Sequence, residues 1–289
     1  MDKAAAGQPQ SFDGAAAKRA LPPTALDAHK RQSEVLIVAG SREYLGAALL
    51  CARGAFRSGA GMVRLALPQA LAQSAVMALP EAVIAPLPAE DALGLEHLEA
   101  LLALAASAHA AAVGPGLGRH EGTLALVAAL WKRLSIPAVF DADALFALPL
   151  AEAAGAARVL TPHEGELKRL LGPQALNEGR VAAVLALARA GRCVALLKGP
   201  ATLVALPDGA MTQNSSGNPA LATAGSGDVL SGAIAALMAQ GAAPFAAAGL
   251  AAWAHGLAAD AWVRTHGPRG LLASELADAL PAAFAQAAL

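Results

Sequence analysis

The sequence predicts a three-layer α/β/α domain with a mostly parallel central sheet. Short, almost wholly apolar runs recur along the chain, each followed by Gly, Pro or Asp and then by a helix-like pattern. Strands that are apolar on both faces belong to parallel sheets covered by helices on both sides. The polar residues of chemical interest gather in the loops after those runs. That is the carboxyl end of the sheet, where such folds bind ligands.

The elements follow in order. Val35-Leu36-Ile37-Val38-Ala39 reads as a buried strand ending at Gly40-Ser41, and Ala47 to Arg57 as the helix after it. Met62 to Leu67 is the next strand, with further candidates at Ala110 to Val113, Ala138 to Phe140, Arg158 to Leu160 and Cys193 to Leu197. Thr202 to Leu206 and Ala210 to Thr212, joined by Pro207-Asp208-Gly209, predict a hairpin that adds antiparallel strands on one side. Val229 to Ala259 carries no Asp, Glu, Lys or Arg, and a helix of that length would cross a bilayer. Its alanine content argues against a span. Gln240-Gly241-Ala242-Ala243-Pro244 supplies a helix stop and then a start, so two buried helices are expected. Met1 to Ala20 has no apolar segment of a secretory signal, and its Ala, Gly, Gln and Ser content predicts a disordered extension over residues 1–28. Residues 29–289 then form one domain, with no composition break and no repeat. A cytoplasmic protein is expected.

Composition removes several function classes. Hydrophobic residues make up 56% and aromatics only 3%, so the apolar count is mostly alanine. The net charge is −1 and there is no basic block, which leaves no clustered cations to neutralise a nucleic-acid backbone. The few aromatics offer no base-stacking platform. Cys51 and Cys193 stand far apart without metal or redox spacing, and are expected to be reduced core residues.

The strongest chemical feature is Ala224-Gly225-Ser226-Gly227-Asp228-Val229-Leu230-Ser231-Gly232. Gly225 and Gly227, ahead of an apolar helix, turn the backbone so that its N–H groups converge, and the helix dipole adds positive potential. The result is an anion hole suited to a phosphoryl group in transfer. Asp228, in the first helical turn, is placed to take a proton from an attacking hydroxyl. The same residue at the same place also reads as a simple helix cap. Neither GxxxxGK[ST] nor GxGxxG is present. Gly114-Pro115-Gly116-Leu117-Gly118 is GxGxG with Arg119 following, which argues against P-loop and dinucleotide-dehydrogenase chemistry.

An ordered set of loops resembles one known family. It comprises Ala39-Gly40-Ser41 with Tyr44-Leu45-Gly46-Ala47-Ala48, Arg57-Ser58-Gly59-Ala60-Gly61, Gly114 to Gly118, and Asp141-Ala142-Asp143-Ala144-Leu145. It continues with Thr161-Pro162-His163-Glu164-Gly165-Glu166, Lys198-Gly199 with Thr202, Asn214 with Gly217-Asn218, Gly225 to Asp228, and His255-Gly256. In this order the set is similar to the ADP-dependent NAD(P)H-hydrate dehydratases, from about residue 29 to the end. Only about 34 residues precede the first strand, so the likeness is to the stand-alone dehydratase rather than to the form preceded by an epimerase domain.

The resemblance implies a ribokinase-like fold and a repair reaction. Hydrated NADH or NADPH is phosphorylated on its ring hydroxyl by ADP (or ATP) and loses phosphate, with Mg²⁺ present. It implies Asp228 as the base and Gly225, Ser226 and Gly227 around the transferring phosphoryl group. Lys198, Gly199, Pro200, Ala201, Thr202 and Asn214 would meet the nucleotide. Gly46, Ala47, Gly116, His163 and Asp228 would meet the hydrate, and Glu166 would hold Mg²⁺ through water. It further implies a homotetramer. Structural readings stand beside these roles: Lys198 as a solvated strand end, His163, Asp141 and Asp143 as helix caps, Glu164 and Glu166 as helix-start acids, and His255 as a hydrogen-bonded core histidine.

Two features depart from the family pattern, namely Ala224 and Ser226 where Gly and Thr are usual, and no glycines after His29-Lys30. A vitamin-precursor alcohol kinase of the same superfold, and a nucleotide-binding sensor without turnover, are the alternative functions.

Overall fold

The structure is a computed structural model that describes residues 8–23, 29–146 and 148–288. The strands are β1 (Gln10–Phe12), β2 (Glu34–Val38), β3 (Met62–Pro68), β4 (Val83–Leu87), β5 (Ala110–Val113), β6 (Ala138–Phe140), β7 (Arg158–Leu160), β8 (Val194–Leu197), β9 (Leu203–Ala205) and β10 (Met211–Asn214). The α-helices are α1 (Gly14–Ala20), α2 (Leu45–Arg57), α3 (Ala72–Ala78), α4 (Leu98–Ala105), α5 (Glu121–Arg133), α6 (Glu164–Leu171), α7 (Gly179–Gly191), α8 (Ser226–Ala239), α9 (Pro244–His266) and α10 (Ala273–Ala288).

The strands form one sheet in the order β1-β10-β9-β8-β7-β6-β5-β2-β3-β4. From β8 to β4 every neighbouring pair is parallel, and β9 runs antiparallel to β8 and β10. Side chains of β2 alternate between two cores. Val35 and Ile37 pack with α2, α8, α9 and α10, whereas Leu36 and Val38 pack with α4, α5 and α7. All five β2 residues are buried, as a strand covered on both faces requires. The three-layer architecture is therefore the expected one.

Small residues let the layers approach closely. A Cβ on Gly232 of α8 would lie 1.9 Å from the carbonyl oxygen of Cys51, and one on Gly54 of α2 would lie 2.3 Å from that of Val229. The two helices thus meet backbone to backbone, which places the start of α8 against α2. The charge-free stretch divides as expected into α8 and α9, broken at Gly241 (φ 93°) and restarted at Pro244. Among the described residues no helix is long and apolar enough to cross a membrane. Cys51 and Cys193 are buried free thiols.

Two elements differ from expectation. The N-terminal segment read as disordered supplies β1 and α1. Its β1 pairs with β10, Asp13 accepts the Ala16 N–H at 3.0 Å, and Phe12 is buried against Gly249, where a Cβ would lie 2.4 Å from the ring. The composition concealed this because one aromatic and a few alanines suffice when the opposing helix is glycine- and alanine-rich. Residues 1–7 and 24–28 of that segment lie outside the described residues. Strand β4 was not foreseen because Pro86 interrupts its apolar run. It is an edge strand, where proline is tolerated.

Candidate active site

The chain leaves β2 outward to β3 and β4, then returns to place β5 on the other side of β2. This reversal opens a crevice at the carboxyl ends of β2 and β5. A cavity of about 690 Å³ fills it, walled by the loop after β2 (Ser41, Tyr44), Ala47 in the first turn of α2, and the loop after β5 (Gly116, Gly118, Arg119). Gly116 has φ 62°, and a Cβ there would lie 2.5 Å from the Tyr44 carbonyl oxygen, so only glycine closes the two loops together. Gly46, beside Ala47, is exposed with open space around it.

A second cavity of about 490 Å³ lies at the carboxyl end of β8. Lys198 to Thr202 form one wall, Asn214 and Ser216 to Pro219 another, and Ser226, Gly227 and His255 the floor. Gly225 caps α8 in the left-handed region at φ 86°, whereas Ala224 lies outside that region, so its methyl group strains nothing. The Ser226 hydroxyl donates to the Leu221 carbonyl at 2.8 Å, and the Ser226 carbonyl accepts from His255 Nε2 at 2.9 Å. Asn214 donates to the carbonyls of Ser216 and Ala252, both at 3.1 Å. Its amide shapes the wall.

A charged cluster is built on Lys198, which lines the second cavity. Lys198 Nζ donates to Asp141 Oδ1 at 2.8 Å and lies 3.7 Å from Glu166 Oε2. The buried Ser231 hydroxyl donates to Asp141 Oδ2 at 2.6 Å. Gly227 leaves room for the ammonium, since a Cβ there would lie 3.3 Å from Lys198 Nζ. Asp228, in the first turn of α8, accepts no hydrogen bond among the described residues. Burial, and next the negative charge of Asp141, push its pKa up to about 7, against the opposing pull of Lys198. Burial pulls the Lys198 ammonium down, but Asp141 and Glu166 outweigh it and hold its pKa above the usual value. Burial also drives His255 down to about 4, so this histidine is a neutral, hydrogen-bonded core residue, as its helical setting suggested.

His163 caps α6. Its Nδ1 accepts the N–H groups of Gly165 at 3.0 Å and Glu166 at 3.2 Å, and Glu166 Oε2 accepts the His163 N–H at 2.8 Å. Asp143 accepts the Gly118 N–H at 3.0 Å and pairs with Arg119 at 2.7 Å. Among the described residues no three His, Cys, Asp or Glu side chains gather to hold a metal ion. Glu166 offers a single carboxylate beside Lys198.

The fold therefore brings together Lys198, Gly225 to Asp228 and Glu166, and puts Ala47 and Gly116 across the crevice. Sequence reasoning treated Asp141 as a helix cap and missed its part in the cluster. Its place directly after a strand was the available signal.

A family model described as NAD(P)H-hydrate dehydratase matches residues 35–282. A bifunctional NAD(P)H-hydrate repair enzyme Nnr of Moorella thermoacetica is 43% identical over 255 residues, 86% of this chain and 48% of its own. The chain spans about half the length of the first such curated relatives. An ADP-dependent (S)-NAD(P)H-hydrate dehydratase of Xanthomonas campestris is 36% identical over 92% of this chain and 93% of its own. The crystal structure of an ADP/ATP-dependent NAD(P)H-hydrate dehydratase of Bacillus subtilis, co-crystallised with ATP and Mg²⁺, aligns with TM-score 0.83 at 30% identity, covering 97% of this chain and 99% of that one. A ribokinase-like superfamily protein of Enterococcus faecalis shares the fold (TM-score 0.83, 22% identity, covering 100% of this chain and 99% of that one). With a ribokinase-like fold and a family match that runs over residues 35–282, the chain belongs to the NAD(P)H-hydrate dehydratase family.

Proposed function

We propose that this chain dehydrates (6S)-NAD(P)H hydrate to NAD(P)H, with ADP or ATP as phosphoryl donor. The observation that carries this reading is Asp228: a carboxylate with a near-neutral pKa, in the first turn of a helix whose glycine turn floors the Lys198–Thr202 cavity. A base works best when its pKa lies near the working pH.

Asp228 takes the proton of the ring hydroxyl as that oxygen attacks the terminal phosphorus of ADP, and AMP leaves. The ring C–O bond then breaks, phosphate departs, and the neighbouring ring carbon gives up a proton to restore the double bond. Gly225, Ser226 and Gly227 present the helix start to the transferring phosphoryl group. Lys198, Gly199, Pro200, Ala201, Thr202 and Asn214 border the nucleotide. Gly46, Ala47 and Gly116 border the hydrate, with His163 fixing the start of α6. Mg²⁺ keeps most of its water and binds through few carboxylates plus phosphate oxygens, which suits the single Glu166 carboxylate. Its chemistry there is neutralisation of phosphate charge.

Cytoplasmic residence and assembly as a homotetramer extend the same reading. The exposed Val76, Met77 and Val83 around the edge strand β4 support self-association. Light scattering tests the assembly, and a monomer would exclude it.

The deciding assay follows recovery of NADH absorbance from prepared NADH hydrate with Mg²⁺, with ADP, ATP or no nucleotide. Recovery only with nucleotide, matched by phosphate release, supports the dehydratase. No recovery in any arm overturns it.

A further inference from the structure

We propose that Arg180 is a positioning residue for the donor nucleotide: its guanidinium gathers the carbonyls of the Lys198–Thr202 loop, leaving that loop's N–H groups to the nucleotide. The inference rests on the reading of that cavity as the nucleotide site.

Arg180 stands in the first turn of α7, where the helix dipole disfavours a cation. Two loop carbonyls and that of the last β8 residue compensate. Nη1 donates to Pro200, and Nη2 to Lys198 at 3.1 Å and Leu197 at 3.4 Å. The carbonyl of Gly199 accepts from the Thr202 hydroxyl at 3.2 Å. Every carbonyl from 197 to 200 is thus engaged within the protein.

The donors are not. The Lys198 N–H reaches the Pro162 carbonyl at 2.9 Å, and Pro200 has no N–H. The N–H groups of Gly199 and Ala201 donate to no acceptor among the described residues, and both residues line the 490 Å³ cavity. Gly199 and Ala201 are exposed, so water meets these donors in the free protein and a polyanionic ligand can take its place.

The loop's conformation is also one that needs holding. Ala201 sits at φ 50° and Gly199 at φ 133°, and a Cβ on Gly199 would lie 2.8 Å from Arg180 Nη2. Left-handed geometry at a non-glycine residue persists only where the surroundings enforce it. Arg180 is itself braced. Its Nε lies 3.2 Å from Glu164 Oε1, an ion-pair contact without hydrogen-bond alignment, in the first turn of α6 beside His163. One side chain thereby links the loop that borders the nucleotide to the start of α6.

The test titrates the full-length protein with ADP and with ATP by calorimetry, for the parent, Arg180→Lys and Arg180→Met. Lysine keeps the charge but cannot fork to three carbonyls. Both variants are expected to weaken nucleotide binding at least fivefold. The KM for the nucleotide should rise to match, while kcat at saturation changes less than threefold and the KM for the hydrate less than twofold. Melting temperature without nucleotide should stay within a few degrees. If Arg180→Met fails to fold, Arg180→Lys decides. A change under fivefold in Arg180→Lys, or a loss accompanied by an equal rise in the KM for the hydrate, overturns the inference and leaves the dehydratase reading intact. A parent that binds neither nucleotide overturns the nucleotide site itself and the inference with it.

Discussion

At the scale of single residues, Asp228 is held in conflict with the fold. Its folded pKa of about 7 lies above its ordinary value of 3.8, so the native state binds the extra proton between those limits. Its contribution to stability is present below the lower value and is lost as pH rises through 7. Asp228→Asn is therefore expected to match the parent's unfolding free energy near pH 4 and to exceed it at pH 8 by roughly 1–2 kcal/mol, read by denaturant unfolding at the two pH values, because a buried charge has been removed. The same variant should lose about three orders of magnitude in turnover while still binding nucleotide. Turnover near the parent's would remove Asp228 from the role of base. His255 has the opposite sign. Its depressed pKa of about 4 gives stability that is present above 6.5 and lost as pH falls towards 4. Asp141 acts through its neighbours. Asp141→Asn removes the second-largest influence raising Asp228, so the acid limb of kcat/KM should move below the parent's value near pH 7. A pH–rate profile of the two proteins reads the displacement directly, and an unmoved limb would show that Asp141 does not tune the base.

At the scale of elements, the position of the base depends on how α8 meets α2. The contact is made by missing side chains, at Gly54 and Gly232, so neither helix can be thickened without moving the other. Gly232→Ala would force a methyl group into the Cys51 carbonyl at 1.9 Å. Destabilisation of about 3 kcal/mol or more is expected, together with weakened turnover, because the start of α8 carries Asp228. Thermal melting checks the first effect. A fully stable Gly232→Ala would show that the helices slide apart at little cost. These glycines were plain in the sequence, but their partners were not. Strands β5, β6 and β7 were legible to the residue because each is a short apolar run bounded by turn residues. Strand β4 was hidden by its proline.

At the scale of the whole molecule, the N-terminal segment extends the sheet. Phe12 and Ala17 are buried, and β1 covers the edge that β10 would otherwise expose. Phe12→Ala should cost about 2–4 kcal/mol, a fall in melting temperature of roughly 5–10 °C for a chain of this size. An unchanged melting temperature would restore the disordered reading of that segment. The two cavities likewise belong to the whole fold. One arises where strand order reverses between β2 and β5, and the other where the antiparallel hairpin folds over the end of β8.

The sequence by itself determined the layered α/β class, the paired helices of the charge-free stretch, and the loops that carry the polar residues. These depend on local periodicity and on turn chemistry, which are written into neighbouring residues. The ordered motifs also identified the family. Only the tertiary structure decided that Lys198 pairs with Asp141, that Arg180 gathers the loop beside it, and that Phe12 completes the sheet. Each joins residues distant in the chain, or fills a space left by a glycine on another element. Distance in space and complementarity of shape have no local signature, so they appear only once the chain has folded.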